Sequence, residues 1–398
     1  MSIIKRFLTR VRRSGIVLFF YKIAFHLIGL LPRNKKTIIF ESFHGKQYSD
    51  NPRAIYEYII EHRPEYDVYW SADRRFTNLF EENHVPYIKR FSLKWLLKMG
   101  TAKYWVINAR LPLWIPKPLN TVYLQTWHGT PLKKLGIDID DVKMPGTDTE
   151  KYRKNFLYEA GKWDYLISPN PYSTEIFKRA FGFNKQVIES GYPRNDFLIH
   201  SNNTETISKI KERNQLPLDK KVILYAPTWR DNEYFSKGKY KFNLKMDLEK
   251  MRKELGNEYI IILRLHYLVA ENLDLTDYDN FVYDFSSYED IRELYVISDI
   301  LITDYSSVFF DYANLKRPMI FFVYDIENYR DSLRGFYFDF EEKAPGALVK
   351  TTEEILGEIK GIKEHGYQIS KVTEEFYHRF CNLEDGKACE RVVNEVFR

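Results

Sequence analysis

The sequence predicts an α/β protein built in two halves, each a parallel sheet covered by helices on both faces. Three observations carry that prediction. Short apolar runs alternate with segments of helical periodicity, the pattern a parallel sheet with crossover helices requires. The runs are rich in Ile, Leu, Val, Phe and Tyr at consecutive positions, as strands buried on both faces are. A polar stretch, Ser201 to Thr204, interrupts the alternation, which then restarts. A length of 398 residues is long for one core and comfortable for two.

In the first half the candidate strands are Thr37 to Glu41, Asp67 to Ala72, Lys103 to Asn108, Thr121 to Thr126, Asp164 to Ser168 and Val187 to Ser190. Helical patterns run from Pro52 to His62, Phe76 to Asn83 and Tyr172 to Phe181. In the second half the strands are Lys221 to Ala226, Tyr259 to Leu265, Phe281 to Tyr283, Asp299 to Thr303 and Met319 to Val323, and the basic segment Tyr234 to Lys245 reads as a loop. The expected divisions are an amino-terminal segment 1–31, a first α/β domain 32–200 and a second 201–398, with a substrate cleft between the two domains.

In the amino-terminal segment, Lys5, Arg6, Arg10, Arg12 and Arg13 are interleaved with Ile3, Ile4, Phe7, Leu8 and Val11. An apolar run follows from Ile16 to Leu31, broken by Lys22 and His26. No small-residue cleavage site precedes Pro32. The run falls short of the roughly 20 apolar residues a membrane span needs. The pattern suits a helix lying in a membrane interface with its basic residues on anionic headgroups. The competing reading is a helix packed on the protein's own body.

A net charge of +5 is mild for this length and suits phosphates or anionic surfaces; it does not point to nucleic acid. With 30 Tyr and 28 Phe the chain has ample apolar mass, which excludes a disordered class. Cys381 and Cys389 offer neither a disulfide framework nor zinc spacing.

Ligands of open α/β sheets bind beyond the carboxyl ends of the strands, so the residues following each strand are the candidates. Thr121 to Thr126 leads into Trp127-His128-Gly129-Thr130-Pro131-Leu132-Lys133-Lys134. Val187 to Ser190 leads into Gly191-Tyr192-Pro193-Arg194-Asn195-Asp196, and Lys221 to Ala226 into Pro227-Thr228-Trp229-Arg230. Tyr259 to Leu265 ends on Arg264 and Leu265 and is followed by His266; Asp299 to Thr303 delivers Asp304-Tyr305-Ser306-Ser307, with Asp311 on the next helix.

A neutral imidazole at His128 would accept a hydroxyl proton near pH 7, and Gly129 beside it permits close approach. Ser306 and Ser307 are expected to cap a helix running to Leu315, whose free amides suit a phosphate, or to cap it with no ligand at all. Asp311 faces either a nucleotide ribose or solvent. Arg264 and His266, on one face of a strand end, would neutralise a departing diphosphate, with Arg194 and Arg230 adding to them. The sequence has no Gly-rich phosphate loop and no Asp-x-Asp after a strand to hold Mg²⁺. The expectation is therefore no cofactor and no metal, with basic side chains in the metal's role.

Together these motifs resemble the CDP-glycerol glycerophosphotransferase family of wall teichoic acid synthesis. The match rests on the block Gln125 to Lys134, on Ser168-Pro169-Asn170, Gly191 to Asp196 and Tyr225 to Arg230, and on Asp299 to Ser307 and Arg334-Gly335-Phe336-Tyr337. The resemblance implies a GT-B-like fold of two Rossmann-like domains and peripheral attachment to the inner membrane face. It implies His128 as general base and His266 at the diphosphate. It further implies CDP-glycerol contacts from Trp127, Gly129, Thr130, Pro131, Arg194, Thr228, Trp229, Arg264, Leu265, Ser306, Ser307 and Asp311. The implied reaction moves glycerol phosphate from CDP-glycerol to a hydroxyl of an undecaprenyl-diphosphate-linked teichoic acid precursor, releasing CMP, at the cytoplasmic face of the membrane. A homo-oligomer is compatible with it. The rivals are a CDP-ribitol transferase, a sugar-nucleotide glycosyltransferase of the same fold, and a membrane-bound scaffold that would not need His128.

Overall fold

The computed structural model describes residues 15–142, 147–228, 234–236, 239–240, 244–265, 274–328 and 335–398. Strands β1 (Asn34–Glu41), β2 (Asp67–Ala72), β3 (Tyr87–Lys89), β4 (Ala102–Ile107), β5 (Val122–Gln125), β6 (Tyr165–Ser168) and β7 (Gln186–Glu189) form one sheet in the order β3-β2-β1-β4-β5-β6-β7. Every neighbouring pair is parallel. Parallel pairing with crossover helices buries both faces, and Ile38, Phe40, Trp70, Tyr104, Val106, Leu124 and Ile167 join one continuous core. The helix Pro171–Ala180 starts where its sequence dictates: Asn170 Oδ1 accepts from the Ser173 amide at 2.9 Å, and Pro171 opens the first turn.

In the second half, β8 (Lys221–Tyr225) is followed by an antiparallel pair, β9 (Tyr234–Ser236) and β10 (Lys239–Tyr240). Strands β11 (Tyr259–Leu263), β12 (Val282–Asp284), β13 (Ile300–Thr303), β14 (Met319–Phe322) and β15 (Ala347–Val349) complete a parallel sheet in the order β12-β11-β8-β13-β14-β15. Its core joins Ile223, Tyr225, Ile261, Leu263, Ile302 and Phe322 to Met251, Ile355 and Ile359 of the covering helices. Both sheets reverse their winding once, between β1 and β4 and between β8 and β13. The carboxyl ends of those four strands are therefore the topological switch points where doubly wound sheets take ligands.

The described residues correct several expectations. The three-residue strands β3 and β15 were not expected, and the segment Tyr234 to Lys245, read as a loop, contains the β9–β10 pair. The chain divides into unit 1 (1–128, 136–194, 389–398) and unit 2 (129–135, 195–388) rather than at residue 200. The short segment 129–135 belongs to unit 2 because its backbone pairs there: Tyr337 N donates to Leu132 O at 2.8 Å and Lys134 N to Gly335 O at 3.0 Å. Residues 389–398 belong to unit 1 because Val392, Val393, Val396 and Phe397 complete its core.

The helix Gly15–Ile28 packs one face on the protein's own body. Its Phe25 is buried against Trp95 and Trp105 of unit 1, with ring centroids 6.0 and 6.3 Å away. Its opposite face shows Phe19, Phe20, Ile23 and Leu27, with Phe20 64% exposed. Among the described residues no helix is long and apolar enough to cross a membrane. The basic cluster Lys5 to Arg13 lies outside the described residues.

Candidate active site

In unit 1, β5 ends at Gln125, and the chain turns through Trp127, whose φ of 53° is left-handed. The Gln125 side chain accepts from the Trp127 amide at 3.0 Å, which holds this turn. The Trp127 ring is buried against Phe156, Phe177 and Phe181, and its other face lies on His128, ring centroids 4.5 Å apart. His128 is thus half-buried with one ring face covered. The Phe43 ring meets it edge-on at 5.6 Å.

His128 Nδ1 lies 2.7 Å from the main-chain oxygen of Asn108, which follows β4. A carbonyl only accepts, so Nδ1 carries the proton and Nε2 presents its lone pair, the tautomer a base needs. Burial pushes the imidazole below the usual histidine value; Asp50 and the Asn108 bond pull it up, while Arg194 and Arg110 push it down. Left-handed backbone at Phe43 (φ 45°), Asp50 (φ 66°) and Trp127 surrounds this ring. Such conformations cost non-glycine residues about 1–3 kcal/mol each and gather at functional sites.

Arg194 does not reach out into solvent. Its Nη1 donates to Asp50 Oδ1 at 2.6 Å, its guanidinium stacks on Tyr192 at 4.3 Å, and its amide donates to Asn51 Oδ1 at 3.2 Å.

In unit 2 the switch point is tied together by Asp304. Its Oδ1 accepts from the Thr228 amide at 2.9 Å, while Thr303 Oγ1 donates to Ala226 O at 2.7 Å. The ends of β8 and β13 are thereby locked side by side. Gly129 lies against Ser307: a β-carbon added at Gly129 would meet the Ser307 Oγ at 3.0 Å. Thr130 and Pro131 follow in the same segment and are buried.

Ser307 stands before the helix Val308–Tyr312 but does not cap it through its side chain. Its φ of −66° and ψ of −4° are helical, whereas a side-chain cap needs an extended residue there. The α-helix also stops at Tyr312, with a 3₁₀ turn Ala313–Leu315 beyond it. Ser306 precedes it, partly exposed. Asp311, expected to face ribose or solvent, is 7% exposed and accepts from Asn195 Nδ2 at 3.3 Å.

Arg264 and Leu265 lie past the end of β11 rather than on its face. The Arg264 Nη1 donates to the carbonyls of Phe285 and Ser286 at 2.8 and 2.5 Å, and Leu265 N donates to Ser286 Oγ at 3.0 Å. This bracing ties the loop after β11 to the loop after β12. His266, Trp229, Arg230 and Arg334 lie outside the described residues.

Asn108, Asp50 and Phe43 were absent from the sequence-derived candidates. The signal was available, because they follow β4 and β1, the two strands that flank the switch point of unit 1.

Comparison with known proteins identifies the family. Residues 23–398 match the model of the family described as CDP-Glycerol:Poly(glycerophosphate) glycerophosphotransferase. The chain is 62% identical over 399 residues to a teichoic acid poly(glycerol phosphate) polymerase of Bacillus subtilis, covering 99% of this chain and 54% of that protein. It therefore spans about half the length of that relative. It is also 62% identical over 378 residues to a polymerase of the same description from Bacillus spizizenii, covering 94% and 95% of the two chains. A teichoic acid glycerol-phosphate transferase of Staphylococcus aureus is 50% identical over 376 residues, with 94% and 96% covered.

A structure of the wall teichoic acid polymerase TagF superposes with a TM-score of 0.87 at 45% identity, covering 100% of this chain and 98% of that one. A UDP-GlcNAc 2-epimerase from Neisseria meningitidis superposes with a TM-score of 0.53 at 14% identity, covering 90% and 98% of the two chains; it shares the fold alone. With nearly the whole chain matched by the family model and relatives of half to nearly two-thirds identity, the chain belongs to the CDP-glycerol:poly(glycerophosphate) glycerophosphotransferase family of transferases.

Proposed function

We propose that the protein transfers glycerol phosphate from CDP-glycerol to a hydroxyl of a lipid-linked teichoic acid precursor, with His128 as general base. The observation that carries this reading is the Nδ1–H bond from His128 to Asn108 O, which leaves Nε2 as an acceptor on a half-buried ring. In the reaction the acceptor hydroxyl loses its proton to Nε2, and its oxygen forms a bond to the phosphorus that bears the glycerol. The bond from that phosphorus to the bridging oxygen breaks, and CMP leaves with the electron pair.

The donor side falls to the switch point of unit 2, with the Gly129–Pro131 segment, Thr228, Ser306 and Ser307 around the nucleotide diphosphate. Backbone amides and hydroxyls there suit developing negative charge. His128 and Gly129 are consecutive, so the base and the donor-side backbone are tied covalently. Trp229, His266, Arg264, Leu265 and Asp311 are assigned to the donor on the family resemblance alone. Arg194 acts on it from its ion pair with Asp50.

A TagF variant soaked with CDPG has been solved and superposes on this chain with a TM-score of 0.87, which supports the donor assignment. The glycerol donor is favoured over ribitol by similarity: the glycerol-phosphate relatives reach 62% identity, whereas the poly(ribitol-phosphate) polymerase of Bacillus spizizenii reaches 31%. The exposed apolar face of Phe19, Phe20, Ile23 and Leu27 supports docking of the first helix on the inner membrane surface, where such an acceptor resides.

The decisive experiment incubates the protein with CDP-glycerol, or separately CDP-ribitol, and a soluble lipid-linked acceptor analogue. The reading requires CMP release and product masses that increase by glycerol phosphate units. Product from CDP-ribitol alone, or none from either donor, refutes it.

A further inference from the structure

We propose that Asp50 is a positioning residue for His128, acting through the side chain of Asn108. The inference rests on the reading of His128 as base and concerns a residue 78 positions away from it in the chain.

The Asp50 carboxylate is surrounded by donors. Its Oδ1 accepts from Arg194 Nη1 at 2.6 Å and from the Asn51 amide at 2.7 Å, and its Oδ2 accepts from Asn108 Nδ2 at 2.7 Å. Its side chain and that of Arg194 are each 7% exposed, so water does not take over these bonds.

Asn108 is fully buried, and both ends of its amide are used: Nδ2 on Asp50 and Oδ1 accepting from the Phe43 amide at 2.8 Å. A flipped amide would set its oxygen against a carboxylate and its NH₂ against an N–H, so only one orientation is satisfied. That orientation fixes the residue whose main-chain oxygen takes the Nδ1 proton of His128 at 2.7 Å. Next to Asp50, Asn51 Nδ2 reaches the carbonyls of Thr126 and Trp127 at 3.4 and 3.3 Å. Asp50 and Asn51 thus join the ends of β1, β4 and β5 around the imidazole.

Only a carboxylate satisfies three donors with no donor of its own; asparagine would turn an NH₂ toward at least one of them. The charge contributes as well. When Nε2 takes a proton, the imidazolium is stabilised by the Asp50 carboxylate and opposed by the Arg194 and Arg110 guanidinium groups. Removing the carboxylate leaves only the two repelling guanidinium groups.

Asp50→Asn is a clean test because the backbone φ of 66° tolerates asparagine well. In protein labelled with ¹⁵N-histidine, His128 is assigned by loss of its signal in His128→Gln, and the ring nitrogens are followed against pH. Wild type should show the Nδ1–H tautomer. Asp50→Asn should show a mixed tautomer and a lower titration midpoint. It should lose about 10–100-fold in turnover at saturating CDP-glycerol, by analogy with the outer partners of metal-ligating histidines.

An Nε2–H tautomer in wild type overturns the proposal. So does an Asp50→Asn protein whose His128 tautomer and titration match wild type, whatever its turnover. If Asp50→Asn does not fold, Asn108→Ser cuts the same tie while keeping the main-chain oxygen, and the same two readouts decide. Normal turnover in His128→Ala would instead remove the base assignment, leaving the NMR result to judge the positioning by itself.

Discussion

Gly129 is packed against Ser307 so closely that a β-carbon at Gly129 would lie 3.0 Å from the serine Oγ and 3.4 Å from its Cβ. Neither group has room to spare. Gly129→Ala should push Ser307 by a few tenths of an ångström and weaken CDP-glycerol binding about tenfold, within the ~1–3 kcal/mol that overpacking costs. Calorimetry with the donor reads the effect. Adding Ser307→Gly should relieve the clash without restoring full affinity, since the hydroxyl is gone; an affinity unchanged in both variants would detach this pair from the donor.

His128→Ala should lower turnover by roughly 10²–10⁴-fold, the usual contribution of a positioned base. Donor affinity should change little, because Gly129 and Thr130 are held by unit 2 through the pairing of the 129–135 segment with Gly335 and Tyr337. Single-turnover rates beside donor calorimetry separate the two effects. Loss of donor binding with normal turnover at saturation contradicts the assignment.

The pH dependence follows from the direction of the His128 shift. Burial holds its protonation below the usual histidine value of about 6.5, so the imidazole stays neutral to lower pH. The acid limb of kcat should therefore lie below about pH 6.5. The same shift has a stability consequence. As pH falls through the ordinary histidine value, the unfolded chain takes up this proton before the folded one does. The contribution present above that value is therefore lost toward the lower folded pKa. A kcat–pH profile with its acid limb above pH 7 would contradict this.

Phe19→Glu combined with Phe20→Glu should release the protein from anionic vesicles, while turnover on a soluble acceptor analogue stays the same. Point substitutions are preferable to deleting 1–31, because Phe25 on the same helix is buried against Trp95 and Trp105 and its removal would uncover both. Sedimentation with vesicles checks the outcome; undiminished pelleting would place the attachment elsewhere.

Phe397 is 1% exposed and lies 4.8 Å from the Tyr104 ring and 5.9 Å from the Tyr66 ring. Phe397→Ala should destabilise unit 1 by about 3–5 kcal/mol, as deletion of a buried phenyl ring does. Denaturant unfolding should show an early transition. Unaltered unfolding would mean that the carboxyl-terminal segment contributes nothing to that core.

The central strands were legible because burial on both faces writes continuous apolar runs such as Ile260 to Leu263 into the chain. Strands β3 and β15 were not, since three residues at a sheet edge carry no periodicity to read. His128 stood out through its glycine and its place after a strand. Asp50 and Asn108 did not, because their meaning lies in the winding order that sets β1 beside β4. The helix that Ser306 and Ser307 were expected to cap was legible as a helix. Which hydroxyl would cap it was not, because that depends on a backbone torsion at Ser307 that composition does not encode.

Residues 389–398 close the core of unit 1, whose other parts end at Arg194. During synthesis the first sheet therefore waits for almost two hundred further residues before Val392, Val393, Val396 and Phe397 emerge from the ribosome. At about 5–20 residues per second that delay is on the order of ten seconds or more. Throughout it Tyr104 and Val106 lack their final cover. A nascent chain stalled just before Cys389 would thus carry a complete second unit and an unfinished first one.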